Sequence, residues 1–218
     1  MKRLALLVVL PLVFLAVFLL VADFGARAYA QNRLSHALAD SLDVSPPPVV
    51  SLGGFPFLFR ILQGELPAAT IRGTRLTSRG VSFEAVELRL RGLHFSLGSV
   101  LSGNGTVVAD TGDGSATLTG PDLTAVLDAR GVPVTVTFSS AGVRLSSPQL
   151  PGEVEGKLTL SDQELILEPA APTPSLRFSL ALPPLIRGVR FTGLRVTPSG
   201  AVLTVSLSNV SVRVGSDP

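Results

Sequence analysis

The chain has 218 residues, no Cys and only two His, which excludes disulfides, thiolate nucleophiles and Cys- or His-rich metal sites. Its net charge of +2 comes from Lys2 and Arg3, and the remainder is balanced. With no Trp and one Tyr, the chain also lacks the basic face with stacking aromatic residues that nucleic-acid binding needs. The length fits one domain with an appendage.

The N-terminus begins with a charge-free apolar run at residues 4–22. As a helix this run is about 28 Å long, enough to cross a bilayer. Two positive charges before it and Asp23 after it favour an N-terminus on the inner side of the membrane and the remainder of the chain on the outer side. The length favours a retained signal anchor, whereas Ala28-Tyr29-Ala30 is a small-x-small site that favours signal-peptide cleavage before Gln31. Either reading predicts that the domain leaves the cytosol.

A second helical pattern follows directly, over residues 23–42. One apolar stripe has three- and four-residue spacing and consists of Ala30, Leu34, Ala37, Leu38 and Leu42. Ser45 and three prolines then end the helix. We therefore divide the chain into a signal segment at 1–22, an amphipathic helix and Pro-rich link at 23–48, a β-rich domain at 49–214 and a tail at 215–218.

The most apolar short stretch lies at residues 53–66. Pro56 can open a helix and Gly64 can close it, with only Arg60 and Gln63 polar between them. A helix this apolar must insert into the protein core, a bound lipid or a membrane; a strand is the local alternative, because three Phe alternate there. A second apolar stretch surrounds two prolines at 183–184. The candidate lipid contacts are Phe55, Phe57, Leu58, Phe59, Ile61, Leu62, Leu182, Leu185 and Ile186.

From residue 49 onward, most of the chain alternates between apolar and polar residues, as strands do. The alternation slips by one residue within the 81–97 segment, again at Gly193, and again between Leu207 and Val210. A slip turns the apolar face over unless a bulge absorbs the extra residue. Repeated bulges predict a mostly antiparallel, strongly curled sheet that wraps on helices.

Turn signals divide the later part of the chain. Residues 110–114 have the composition of a hairpin loop, and Pro198-Ser199-Gly200 is typical of a hairpin turn. Gly120-Pro121-Asp122 starts a predicted short helix with Leu123, Val126 and Leu127 on one face. Residues 132–168 read as a meander of four strands.

One short motif suggests catalysis. Asp110-Thr111-Gly112 resembles an aspartic-protease motif, but that mechanism needs two carboxylates that share a proton. Asp-Thr-Gly is also ordinary turn chemistry. Asp110, Asp113 and Asp122 have no EF-hand spacing. We therefore expect no catalytic residue, no metal and no cofactor.

Several segments in order carry a family resemblance: Gly53-Gly54-Phe55-Pro56-Phe57-Leu58, Gln63-Gly64, residues 86–93, Leu182-Pro183-Pro184-Leu185, residues 188–198 and Gly200. Together they resemble the actinobacterial LmeA-like phospholipid-binding family over about residues 25–212, and Ile186-Arg187 departs from the expected pattern. The resemblance implies an envelope protein that binds phospholipid, in one member assisting mannan elongation of lipoglycans. It also implies a curved α+β fold similar to tubular lipid-binding domains.

Three functions compete at this point. The first is binding, and possible transfer, of a phospholipid or polyprenyl-type lipid at the outer face of the cytoplasmic membrane. The second is an envelope enzyme, against which the missing nucleophile constellations count. The third is a structural or adaptor module that binds a membrane glycosyltransferase.

Overall fold

A computed structural model describes residues 2–42, 44–78, 81–96, 98, 105–148, 152–161, 163–170, 177–182 and 189–214. The helices are α1 (Lys2–Leu42), α2 (Phe57–Gln63) and α3 (Gly120–Asp128). The strands are β1 (Val49–Leu52), β2 (Glu65–Ser78), β3 (Val81–Phe95), β4 (Gly105–Leu118), β5 (Thr135–Ser139), β6 (Gly142–Ser146), β7 (Val154–Ser161), β8 (Glu164–Pro169), β9 (Phe178–Ala181), β10 (Val189–Thr197) and β11 (Gly200–Val214). The fold is α+β, as predicted.

The strands form two antiparallel sheets. One sheet has the order β1-β2-β3-β4-β11-β10, and the other runs β5-β6-β7-β8-β9 in chain order. The second sheet contains the predicted meander, and a two-residue turn at Pro198 and Ser199 joins β10 to β11, also as predicted.

Buried apolar side chains form two clusters. The inter-sheet cluster lies between the two sheets and α3, and includes Phe83, Leu118, Leu123, Leu145, Leu165, Leu182 and Leu203. The helix-side cluster joins α1 and α2 to the six-stranded sheet, and consists of Val50, Leu52, Phe57, Leu66, Ala69, Leu93 and Ala109. Ile71 and Leu90 pack against both clusters, so the two meet near the middle of β2 and β3.

Helix α1 is one continuous helix, which confirms the helical pattern read after Asp23. Ala30, Leu34 and Leu38 from the predicted stripe pack on the helix-side cluster, together with Ala26, whereas Ala37 is exposed. The outer half of α1 thus belongs to the folded domain.

The predicted short helix is α3, and its local sequence explains its start. The Thr119 hydroxyl accepts from the Asp122 N–H, and the Asp122 carboxylate accepts from the Thr119 N–H in return. This reciprocal arrangement is a capping box. Leu123, Val126 and Leu127 are buried on one face, as the spacing predicts.

The predicted phase slips are present. Helix-side packing includes both Leu90 and Leu93, which strict alternation would place on opposite faces. The slip in β3 occurs at Gly92, where the pairing with both neighbouring strands is interrupted. The interruption forms a row across four adjacent strands of the sheet, and we call this the skipped row: Pro67, Gly92, Asp110 and Asn209. Gly92 and Asn209 in this row have positive φ angles of 62° and 48°. Neighbouring strands each shift by one residue at this row. The pairing register between them is therefore the same before and after it.

The strongly curled sheet that wraps on helices is not confirmed. Among the described ladders of the six-stranded sheet, an unmatched shift occurs between Phe191 and Gly193 of β10, against β11. Matched slips do not add residues to one strand alone, so they do not impose the repeated bending that we predicted from bulges.

The predicted hairpin loop at residues 110–114 is wrong. These residues lie inside β4, which pairs with β3 on one side and with β11 on the other. Asp and Gly favour turns locally, but the long neighbouring strands supply ladder partners on both sides. Tertiary pairing therefore overrides the local signal.

Gly92→Ala tests the skipped row. A Cβ at Gly92 would meet the Asp110 carboxylate, and an L-residue would have to adopt a φ of 62°. We expect the free energy of unfolding to fall by about 1–2 kcal/mol from the left-handed backbone, plus a steric cost. Urea unfolding of the full chain in detergent measures the change.

Asp110→Ala is the matched control. The Asp110 side chain is exposed, so alone this change should cost at most about 1 kcal/mol, and in the Gly92→Ala background it should relieve the steric part of the loss. Equal stability of Gly92→Ala and the parent would contradict this account of the row.

Candidate functional site

Helix α2 forms where the sequence predicts it. Pro56 stands at its N-cap in extended conformation, and Gly64 closes it with a φ of 75°. The Gly64 carbonyl accepts from the Phe95 N–H at 2.8 Å, and a Cβ at Gly64 would collide with the Phe95 carbonyl. Glycine is therefore required here both for its positive φ and for the close approach of β3. The alternative of a strand is excluded for residues 57–63.

Helix α2 has two apolar faces. Phe57 is only 2% exposed and belongs to the helix-side cluster, while Leu58 and Ile61 are half-buried. On the other side, Phe59 is 56% exposed and Leu62 is 74% exposed. A helix on a water-exposed surface normally presents polar residues on that side. Of the three alternatives for this helix, insertion into the protein core therefore holds for Phe57 and does not hold for Phe59 and Leu62.

Phe55 extends this exposed surface just before the helix, at 62% exposed. We call the group Phe55, Phe59 and Leu62 the outer face of α2. The outer face contains the large exposed apolar residues of the 53–66 stretch.

The N-terminus of α2 is capped from a distance. Pro56 makes no side-chain cap, and the Asp23 carboxylate accepts instead from the Phe57 N–H at 3.0 Å and from the Leu58 N–H at 2.7 Å. Asp23 is only 5% exposed. Free N–H groups and the positive end of the helix dipole both stabilise a carboxylate at this position. Asp23 therefore joins α1 to α2.

Two further polar contacts align α1 with β1. The Arg27 guanidinium donates to the Leu52 carbonyl, and the Ser35 hydroxyl donates to the Pro48 carbonyl at 2.6 Å. As α1 runs from Asp23 towards Ser35, β1 runs the opposite way, towards α2. Helix α2 therefore lies at the end of the domain nearest the N-terminal apolar run.

That apolar run satisfies the length and composition of a membrane span. Among the described residues, one helix qualifies, over Leu10–Asp40, and the most apolar 18-residue window within it has a mean hydropathy of 2.0. The large apolar side chains between Leu10 and Val21 are exposed. Asp23 comes directly after them, so the cap of α2 lies at the boundary of the run.

The structure separates the two halves of the predicted site. The α2 residues lie on or beside the helix-side cluster, whereas Leu182 is buried in the inter-sheet cluster. Leu185 and Ile186 lie outside the described residues. The structure therefore does not bring Leu182 together with α2, although both remain predicted lipid contacts.

An apolar cleft lies under α3 in the inter-sheet cluster. It is lined by Leu123, Leu127, Leu158, Leu165, Leu167, Phe178 and Leu180, with a volume of about 20 Å³. Ligand pockets typically measure about 300–1,000 Å³. In this conformation the cleft is too small for an acyl chain.

The Asp-Thr-Gly motif forms an exposed surface contact. The Asp110 carboxylate lies 3.3 Å from His94 Nε2, and Glu65 lies 3.8 Å from His94 Nδ1. All three side chains are about half exposed. Within the described part of the chain, no three His, Asp or Glu residues are grouped to hold a metal.

A second charged group lies on the six-stranded sheet. Hydrogen bonds from Arg72 and Arg89 hold the pKa of Glu87 below its ordinary value. Arg72 pairs with Val49, at the end of β1 remote from α2. This group therefore belongs to the exposed sheet surface and not to the α2 site.

The decisive comparison is with protein families. The sequence model of a family described as LmeA-like phospholipid-binding matches residues 21–214, most of the chain. The chain belongs to the LmeA-like phospholipid-binding family. The match confirms the resemblance read from the sequence. The matched region of this LmeA-like chain contains Asp23, α2 and both sheets. Comparisons with curated proteins and with solved structures found no match.

Sequence reasoning missed Asp23 as part of the site. Asp23 lies 34 residues before Phe57, so no local pattern links them. One signal was available: α2 opens at Pro56 without a Ser, Thr, Asp or Asn cap, and its free N–H groups need an acceptor from elsewhere.

Phe57→Ala and Phe59→Ala should separate the two faces of α2. Loss of a buried Phe typically costs about 3–5 kcal/mol, whereas a change at an exposed site stays within about 0.5 kcal/mol. We therefore expect Phe57→Ala to lower the unfolding midpoint strongly and Phe59→Ala to leave it unchanged. Similar losses in both variants would show that Phe59 is also core.

Asp23→Ala should loosen α2 in particular. Removing a helix cap costs about 0.5–2 kcal/mol, and the Phe57 and Leu58 amides lose their acceptor. Hydrogen exchange of the full chain in detergent should accelerate at these two amides, while the β3 and β4 amides keep their protection. Unchanged exchange at Phe57 and Leu58 would contradict the capping role.

Proposed function

We propose that this chain binds a phospholipid, without chemistry, at the outer face of the cytoplasmic membrane. In this proposal α1 is a retained anchor and the outer face of α2 contacts the lipid. The observation that carries the proposal is the exposure of three large apolar side chains, two on α2 and one just before it, away from the core, in a chain of a phospholipid-binding family. Apolar surface of this kind marks a binding site when it is contiguous.

The packing of α1 supports an anchor over a cleaved signal peptide. Cleavage before Gln31 would remove Asp23, Ala26, Arg27 and Ala30 from the domain. It would leave the Phe57 and Leu58 N–H groups without their acceptor and would expose part of the helix-side cluster. A segment with this many contacts to the domain is expected to remain attached.

The other predicted contacts take a secondary place in this proposal. Leu182, Leu185 and Ile186 are kept as proposed lipid contacts separate from α2, because Leu182 is buried in the inter-sheet cluster and follows the β9 residues that line the apolar cleft under α3. Transfer of the lipid, partnership with glycosyltransferases and support of mannan elongation remain predictions from the resemblance.

Phe59→Asn and Leu62→Asn test the proposed contact. Both residues are exposed, so the polar replacements should leave the unfolding midpoint unchanged while they lower the phospholipid retained per chain. Mass spectrometry of lipid from the full chain purified in detergent measures the retention. Lipid bound around α1 is common to all variants, so differences between variants report the domain.

Val49→Asn is the matched control. Val49 is also an exposed apolar residue, at 66%, but lies at the end of β1 remote from α2. It should retain as much phospholipid as the parent. If Phe59→Asn and Leu62→Asn also match the parent, the outer face of α2 is not the lipid contact.

A further inference from the structure

We propose that the outer face of α2 docks on the bilayer into which α1 inserts, with Phe55, Phe59 and Leu62 at the boundary between headgroups and acyl chains. The inference deepens the proposed function and rests on it for the identity of the ligand. It names the source of that ligand as a phospholipid within the adjacent leaflet. The occupant of the surface is the bilayer itself.

The level of α2 relative to the membrane follows from Asp23. This residue is the first charged group after the apolar run at residues 4–22, so it marks where the span meets the headgroups. The Phe57 and Leu58 N–H groups lie 3.0 and 2.7 Å from its carboxylate. The first turn of α2 is therefore at the level of the membrane surface.

The rest of α2 stays near the same level. Its seven residues span about 10 Å. Interfacial helices bury their apolar side by about 5–10 Å into the headgroup region. Since β1 runs towards the span and α2 follows it, α2 lies at the end of the described domain nearest the span.

Exposed aromatic residues also lie on α1 close to Asp23. Phe24 directly follows Asp23 and is 60% exposed, and Tyr29, about 8 Å further along the helix, is 69% exposed. Aromatic residues are enriched where spans meet the interface. Exposed aromatic residues therefore lie near the end of the span both on α1 and at α2, which Asp23 holds together, and this shared level favours a bilayer over a protein partner.

Arg60 fits the same arrangement. It lies on α2 next to Phe59 and is exposed, and its guanidinium makes no hydrogen bond or ion pair with the part of the chain that the structure describes. A long Arg side chain can keep its apolar stem at the interface while its guanidinium reaches phosphate oxygens. Arg60 therefore supplies a charge for lipid phosphates beside the inserting side chains.

Tryptophan fluorescence can test the docking, because the chain contains no Trp. Phe59→Trp and Phe55→Trp each create a single reporter in the full chain. The variants are reconstituted in phosphatidylcholine vesicles whose acyl chains carry bromine either near the carboxyl end or near the methyl end. Thr137→Trp, at an exposed position on β5, is the matched control.

The docking predicts strong quenching of both α2 reporters by bromine near the carboxyl end, weaker quenching by bromine near the methyl end, and none for Thr137→Trp. If both α2 reporters are as unquenched as Thr137→Trp, the docking is wrong. Testing two positions guards against a fault in one variant.

A second arm separates this inference from the proposed function. In detergent micelles with one brominated phospholipid per chain, quenching reports a bound lipid alone. If the α2 reporters are fully quenched in the micelle and are quenched no more strongly in the bilayer, the docking is wrong and phospholipid binding still stands. Strong quenching in the bilayer supports the docking even if the retention measurement on Phe59→Asn and Leu62→Asn contradicts the proposed lipid contact.

Discussion

The bond between the Asp23 carboxylate and the first N–H groups of α2 is the contact on which the proposed site depends. It joins the end of an apolar span to a helix that has no cap of its own. A buried carboxylate needs such donors, since burial without partners is costly. The two elements therefore satisfy each other, and the position of α2 follows from the position of the span.

The six-stranded sheet provides a rigid base for this arrangement. Its β1–β4 region carries the helix-side cluster under α1 and α2, and the inter-sheet cluster continues from it through Ile71 and Leu90. The matched slips along Gly92 and Asp110 let apolar side chains serve both clusters without loss of register. Because Phe57 is buried in the helix-side cluster, α2 stays packed on the sheet while its other side exposes apolar residues.

The sequence predicts what depends on nearby residues. The ends of α2 follow from Pro56 and Gly64, and the start of α3 follows from its capping box. Contacts between distant residues were not predictable in the same way. The cap from Asp23, the place of Asp110 inside a paired strand and the burial of Leu182 away from α2 all depend on tertiary packing. The curled sheet was inferred from slips in single strands, whereas neighbouring strands share the slip at Gly92 and Asn209.

The central claim is that lipid meets this chain at the outer face of α2. A phospholipid with a photoactivatable group in its acyl chain, crosslinked to the full chain in vesicles and mapped by mass spectrometry, tests it most directly. Excluding adducts on the span itself, the account predicts labelling concentrated at Phe55, Phe59 and Leu62. Labelling concentrated instead on the leucines under α3, with none on the outer face of α2, would place the lipid between the sheets and contradict the account.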